Sequence, residues 1–513
     1  MSLTSLVEIR PDTYLDSVLL LSASRSMLEA PEVDWGAAVM GTPANLDVFR
    51  AAGFDAGALA GARANDLVLA VRATSQDAAA AALEAARATL FRERPAATAG
   101  EEARRARVIP EAMAQIPEAN VAVVSVPGEF ATLEAHRALT AGLHVLLFSD
   151  NVPLADEVEL KQRGRDLGLL VMGPGAGTAM LGRVGLGFAN AVRPGQVGVV
   201  AAAGTGAQEV MSLVHRWGQG CSHVIGVGGR DLSASVGGAM TGLALAALED
   251  DPDTSTILLV SKPPSLGVAT TVLATPGKKP LVAALIGMDA SVTVPDRVHL
   301  ARSLEGGAAL AVELAGGSPP APATGLAAVA AAAEQDLAPS RRAVRGLFSG
   351  GTLCFEAMVL LAQHLGAVHS NTPLRPGWAL PAPPGSHVCL DLGEEEFTRG
   401  RPHPMIDAEA RAEHIRREAA DPSVAVLLID IVLGYGSHPD PAGVLAPVLA
   451  EAARQGPRVV VYVLGTDEDP QGADTQRRRL REAGCVIAPT GARAALLAAA
   501  IAGRRPGVAE EGS

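Results

Sequence analysis

Two stretches of this chain place a glycine-threonine pair at the start of a helical run, with a glutamate four residues beyond the threonine. They are Gly204-Thr205-Gly206-Ala207-Gln208-Glu209 and Gly351-Thr352-Leu353-Cys354-Phe355-Glu356. Each follows an apolar run, residues 197–202 in the first case and 346–348 in the second. A strand that enters a helix through glycines leaves the first helical amides without carbonyl partners, and those amides and the helix dipole attract anions. Ala203, Gly204, Thr205 and Gly206 on one side, and Gly350, Gly351 and Thr352 on the other, are therefore expected to bind phosphate or another doubly charged oxyanion. The plainer reading makes both threonines simple helix caps.

Cationic and titratable residues follow each signature. Arg230 and Lys262 come at the ends of apolar runs after the first, where ligands gather in open α/β sheets. Arg401 and His403 come in the corresponding region after the second. Arginine suits a carboxylate through two parallel hydrogen bonds, and His403 is a candidate proton donor. Against this stand a structural pair of Arg230 with Asp231 and a rigid Arg401-Pro402-His403-Pro404 loop. Glu209 and Glu356 fall in first helical turns, where a carboxylate is favourable but sits oddly beside an anion. They are expected to hold N–H groups of the facing segment instead.

These residues need a scaffold, and the flanking sequence describes one twice. Apolar runs at 224–229, 256–260 and 281–287 follow the first signature in the same order as those at 388–393, 424–429 and 458–465 follow the second. Continuously apolar strands separated by helices indicate parallel sheets covered on both faces, built as doubly wound units.

The remaining sequence divides into four units. Residues 1–100 read as a small α+β domain, with strands near 17–22, 35–40 and 66–71 and helices near 25–29, 44–52 and 76–91. Its Met40-Gly41-Thr42-Pro43 turn is either an anion loop or a cap through Thr42. Residues 108–194 read as a Rossmann-like domain without the complete Gly-x-Gly-x-x-Gly and acidic fingerprint, so NAD is not inferred. Residues 195–315 and 342–505 are the two duplicated units, joined by a Pro-, Ala- and Gly-rich link.

Composition bounds the function. In 513 residues, 48% are apolar but only 3% aromatic, so the cores rest on Ala, Val and Leu. A net charge of -13 without basic tracts speaks against nucleic acid and anionic membranes. Cys221, Cys354, Cys389 and Cys485 are far apart, which disfavours a disulfide framework or a metal site and points to the cytoplasm. Cys354 is read as a small apolar filler rather than a nucleophile. No apolar run approaches the length of a membrane span.

Several strings give the chain a resemblance to the FdrA family, within the succinyl-CoA synthetase-like superfamily. They are Met40-Gly41-Thr42-Pro43-Ala44-Asn45, Phe148-Ser149-Asp150-Asn151-Val152, Leu170-Val171-Met172-Gly173-Pro174, Gly228-Gly229-Arg230-Asp231-Leu232-Ser233, Ser261-Lys262-Pro263-Pro264 and Gly400-Arg401-Pro402-His403-Pro404-Met405-Ile406-Asp407. The resemblance implies a CoA-binding-type domain followed by two flavodoxin-like ligase domains, whose glycine-rich helix starts face each other. In the synthetases these hold a phosphorylated histidine from a Gly-His-Ala-Gly loop. Here the sequence at that place is Gly287-Met288-Asp289-Ala290-Ser291, and His299 is read as an ordinary helix residue.

FdrA-like proteins are associated with an oxamate carbamoyltransferase of allantoin breakdown, which forms carbamoyl phosphate with separate partner proteins encoded nearby. The resemblance thus implies a carbamoyltransferase component with phosphate or carbamoyl phosphate as ligand. A CoA-dependent ligase and a non-catalytic scaffold are the other readings, and a homo-oligomer is compatible with each.

Overall fold

Side chains spaced three and four apart, rather than alternating, are buried in the first apolar stretch. Leu20, Ala23 and Met27 all face inward, so Ser17–Leu28 is one helix and not the strand expected near 17–22. The computed structural model describes residues 3–13, 15, 17–28, 30–91, 106–288, 292–320, 324–398 and 402–512. It divides into two units, one of N-terminal residues up to 105 and one from 106 onward, and each is described by itself.

The first unit alternates strand and helix: β1 (Thr4–Arg10), α1 (Ser17–Leu28), β2 (Val33–Met40), α2 (Pro43–Ala51), β3 (Leu67–Ala73) and α3 (Gln76–Leu90). β3 lies between β1 and β2 and runs antiparallel to both. Leucine and alanine of α1 and α3 pack on one face of the sheet. Trp35, Phe49 and Phe54 pack on the other, with ring centroids 5.6 and 4.9 Å from the tryptophan. Thr42 accepts the Asn45 amide as a helix cap, so the cap reading describes this turn.

The second unit opens with α4 (Ile109–Gln115), β4 (Val121–Val124), α5 (Gly128–Thr140), β5 (His144–Leu147), α6 (Leu154–Leu167) and β6 (Val171–Met172). β4, β5 and β6 form a parallel three-stranded sheet in sequence order. The hairpin β7 (Thr178–Leu181) and β8 (Val184–Gly187) then crosses to the next sheet, where Met180 pairs with Val224.

That next sheet carries the first repeat. Its elements are β9 (Pro194–Ala202), α7 (Gly204–Arg216), β10 (Cys221–Gly226), α8 (Ala239–Asp250), β11 (Thr256–Ser261), α9 (Leu266–Leu273), β12 (Leu281–Leu285), β13 (Val298–Ala301) and α10 (Leu304–Leu314). The strand order is β13-β12-β11-β9-β10-β7-β8. His299 lies in β13, opposite Val282, and not in a helix as expected. Sequence alone missed this strand because it is four residues long and only partly buried.

α11 (Leu326–Gln335) leads into the second repeat. It comprises β14 (Ala343–Phe348), α12 (Gly351–Leu365), β15 (Val368–Ser370), β16 (His387–Asp391), α13 (Glu395–Thr398), α14 (Ala412–Ala419), β17 (Val424–Val432), α15 (Pro441–Arg454), β18 (Arg458–Leu464), α16 (Ala473–Glu482), β19 (Val486–Ala488) and α17 (Gly491–Gly503). The order β15-β16-β14-β17-β18-β19 repeats β10-β9-β11-β12-β13 with one strand added at the edge. Both sheets are parallel through these strands. One hydrophobic core, rich in alanine and leucine, runs from α7 and α10 through α12 to α17. The architecture is α/β, with a small N-terminal α+β unit and two large, mainly parallel sheets.

Candidate functional site

α7 and α12 each start where the central strand of its sheet ends, and the two starts meet directly. The Thr352 amide donates to Thr205 Oγ1 at 3.1 Å. A Cβ on Gly350 would stand 2.8 Å from Thr205 Cγ2, and one on Gly206 would stand 3.0 Å from Thr352 Cγ2. Both glycines are therefore demanded by the approach of the facing loop. Thr205 and Thr352 are buried, whereas Gly204 is exposed.

The two starts are not equivalent. Ser349 and Gly350 donate their amides, at 2.8 Å each, to the two carboxylate oxygens of Asp430 near the end of β17. Asp430 in turn is paired with the buried Arg411 at 2.8 Å. The second loop thus spends its leading amides on a side chain of its own domain. Among the described residues the amides of Gly204, Thr205 and Gly206 have no such carboxylate.

The glutamates do reach across. Glu209 accepts the Tyr462 hydroxyl at 2.6 Å and the Gly491 amide at 3.3 Å, at the start of α17 in the other repeat. Glu356 accepts the Leu304 amide at 2.6 Å, at the start of α10 in the first repeat. Each repeat therefore caps the last helix of the other. The glutamates hold facing N–H groups, but those of the final helices rather than of the Gly-Thr loops. Burial raises Glu209 to about 7 and Glu356 to about 8.

The four cationic or titratable residues expected at the site have different fates. Lys262, just after β11, reaches over the Phe355 ring of α12 at 5.9 Å and makes no ion pair among the described residues. His403 stacks loosely with Phe188 at 6.3 Å, and its Nδ1 accepts the Met405 amide at 3.2 Å, which puts the proton on Nε2. Burial lowers this imidazole to about 4, so at neutral pH it carries no charge and is a weak proton donor. Arg230 pairs with Glu157 of α6 at 2.6 Å and donates to the Val152 carbonyl at 2.8 Å, so its guanidinium is committed to these partners. Its neighbour Asp231 pairs with the buried Lys161 instead, at 3.0 Å. Arg401 lies outside the described residues.

Asp391 was missed. It closes β16, is 3% exposed, and abuts Gly351, where any Cβ would collide with its Oδ2. Its Oδ1 accepts the Gly393 amide at 3.0 Å, while Oδ2 accepts no hydrogen bond among the described residues. Burial raises it to about 6, and Lys262 pulls against that rise. The available signal was a lone acid ending an apolar run, in Val388-Cys389-Leu390-Asp391, with Asp430 a lone acid within another such run. Cys354 is fully buried and its thiol is pushed well above the ordinary range, so it is a filler and not a nucleophile. A cleft of about 410 Å³ opens elsewhere, beside Arg345, Leu380, Pro383 and Asp421, but of its two arginines Arg345 is already tied to Glu418 and Asp421 at 2.8 and 3.0 Å and Arg417 to Glu418 at 2.9 Å.

Comparison with known proteins fixes the relationship. The chain is 39% identical over 513 residues to the uncharacterized protein YahF of Escherichia coli (strain K12), covering 96% of this chain and 97% of YahF. The chain belongs to the YahF family. Residues 347–501 match the family model described as CoA-ligase. The α subunit 2 of an ADP-forming succinate–CoA ligase from Archaeoglobus fulgidus is 30% identical over 149 residues, covering 28% of this chain and 50% of that subunit. Among solved structures, the dinucleotide-forming acetyl-coenzyme A synthetase 1 of Ca. Korarchaeum cryptofilum aligns at 18% identity over 76% of this chain and 84% of its own, with a TM-score of 0.30.

The kinship with the YahF family and with CoA ligases corrects one expectation. The matched model and the named ligase relatives are CoA ligases, so the chain is not a transferase of the carbamoyl type. Residues 1–107 match a model described as AllF, heavy metal-associated domain. That stretch contains neither cysteine nor histidine, and among the described residues no three His, Cys, Asp or Glu gather in a metal-holding group. Soft metals bind through thiolate and imidazole, so these residues do not fit one. Among the described residues no helix is long and apolar enough to cross a membrane.

Proposed function

We propose that this chain is a CoA-dependent acyl ligase-type enzyme that joins an acyl phosphate and a CoA thiol at the paired helix starts. The observation that carries the reading is the contact of Thr205 with the Thr352 amide, in a chain whose second repeat matches the CoA-ligase model. Two opposed helix starts favour a dianion, and the first of them keeps its amides for one. Ala203, Gly204, Thr205 and Gly206 are assigned to the phosphate, with Thr352 closing the pocket from the other side and Gly350 and Gly351 supporting it. Lys262 is the cation assigned to neutralise charge as phosphate departs.

The residues that follow β12 include no histidine before His299, whose backbone pairs with Val282 in β12. Phosphate is therefore taken to pass directly between acyl group and solution, with any nucleotide-dependent step left to a separate partner protein. A cytoplasmic setting and affiliation with the FdrA group are parts of the same proposal, compatible with the full-length match to YahF.

Thermal stability of the purified chain with added CoA, inorganic phosphate and acetyl phosphate tests the reading. CoA and phosphate are each expected to raise the melting temperature. If neither moves it at millimolar concentration, the CoA-ligase reading is wrong.

A further inference from the structure

We propose that Asp391 is the proton carrier of this site: it accepts the proton of a CoA thiol as sulfur attacks an acyl phosphate, and delivers it to the departing phosphate. The assignment rests on the ligase-type reading above. In the step, a carbon–sulfur bond forms and the carbon–oxygen bond to phosphate breaks. The thiol proton ends on the phosphate, so no oxidant or further reactant is needed.

Three observations converge on this side chain. It is 3% exposed, yet one carboxylate oxygen, Oδ2, has no hydrogen-bond donor among the described residues. That oxygen is not sealed from solvent, so an incoming donor can reach it. That oxygen lies against Gly351, the residue next to Thr352, so it borders the meeting point of the two helix starts. The other buried acid nearby is excluded from the role, because Asp430 is saturated by Ser349, Gly350 and Arg411.

The surroundings suit a group that gains and loses a proton. Lys262 from the end of β11 favours the anion, whereas burial, Glu394 and Asp430 favour the acid. The Gly393 amide fixes Oδ1. His403 Nε2 and Asp391 Oδ1 stand 2.7 and 3.2 Å from the point a Cβ on Gly393 would occupy, so the neutral imidazole borders the carboxylate without adding charge. The balance leaves Asp391 at about 6, low enough to be ionised at neutral pH and high enough to accept a proton.

The test uses the full-length chain with CoA and acetyl phosphate as probes, following acetyl-CoA formation against pH and CoA binding by calorimetry. Asp391→Asn is expected to lower turnover about 100-fold or more, with CoA affinity within about 3-fold of wild type. The acid limb of the rate profile, centred near pH 6 in the wild type, should vanish in the variant. Asp391→Glu, which keeps the carboxylate, should recover part of the rate and the limb. Full turnover in Asp391→Asn, or loss of CoA binding in step with turnover, overturns the assignment alone. A wild-type chain that binds no CoA, or binds it and forms no thioester, overturns the ligase-type reading and this assignment together.

Discussion

Thr205 contributes one oxygen to the contact between the two repeats. Its Oγ1 is the acceptor for the buried Thr352 amide. Thr205→Ala leaves that amide without a partner, and urea denaturation should register a loss of about 1–3 kcal/mol. Thr205→Ser, which keeps the oxygen, should lose far less; equal losses would show that the methyl contact matters and the hydrogen bond does not. Much at this scale could be read in the residues beforehand. The Gly-Thr pairs and the reach of both glutamates across to the other repeat follow from their order. Asp430, Arg411 and Tyr462 could not be placed, because each acquires its partner across 19 or more residues of chain or from the other repeat, and Asp391 could not because the Gly351 and Lys262 it faces come from distant segments. Arg230 illustrates the reverse error. A cation at a strand end looks ready for a ligand, but Glu157 on α6 lies beside it and satisfies it.

At the scale of elements, the duplicated strands were legible because they are buried on both faces and so continuously apolar. β17 is buried at every position and β11 likewise. Short or half-buried strands carry no such signal, which explains β13 and β15. Helix α1 deceived for a related reason: its run of Leu and Ser satisfies either period until Ala23 and Met27 are seen to share a face with Leu20. The contact between the α7 and α12 starts makes a steric prediction. Gly350→Ala places a methyl against Thr205 and should cost about 1–3 kcal/mol in chemical denaturation. The same change at Gly484, where a Cβ meets nothing but φ is +84°, should also destabilise through backbone strain, with no effect on ligand binding. Phosphate affinity lost only in Gly350→Ala would separate the two causes; an equal loss in both would refute the role given to the loop.

For the molecule as a whole, the two buried glutamates set a pH dependence. Their carboxyls ionise near 4.5 when unfolded but near 7 and 8 when folded. The folded chain therefore binds more protons across that interval, and stability falls as pH rises through it. Asp391 adds the same sign up to about 6. His144, His215, His387 and His403, all lowered by burial, act oppositely, but only below their ordinary value of 6.5. Between about pH 6.5 and 8.5 the glutamates act alone among these groups, so the melting temperature should decline there. Replacing Glu209 and Glu356 by Gln should flatten that decline; a slope unchanged in the double variant would show that other groups cause it.

The exchange of caps between the repeats bears on how the chain can be divided. Neither repeat is chemically finished in isolation, since each would expose a glutamate meant for its sibling and a helix end awaiting one. Two separately expressed pieces, broken between residues 317 and 320, should therefore find each other and copurify as a tight heterodimer. By the same logic, one copy of such a duplication can be neither deleted nor swapped for a distant cousin unless its reciprocal glutamate and receiving amide travel with it.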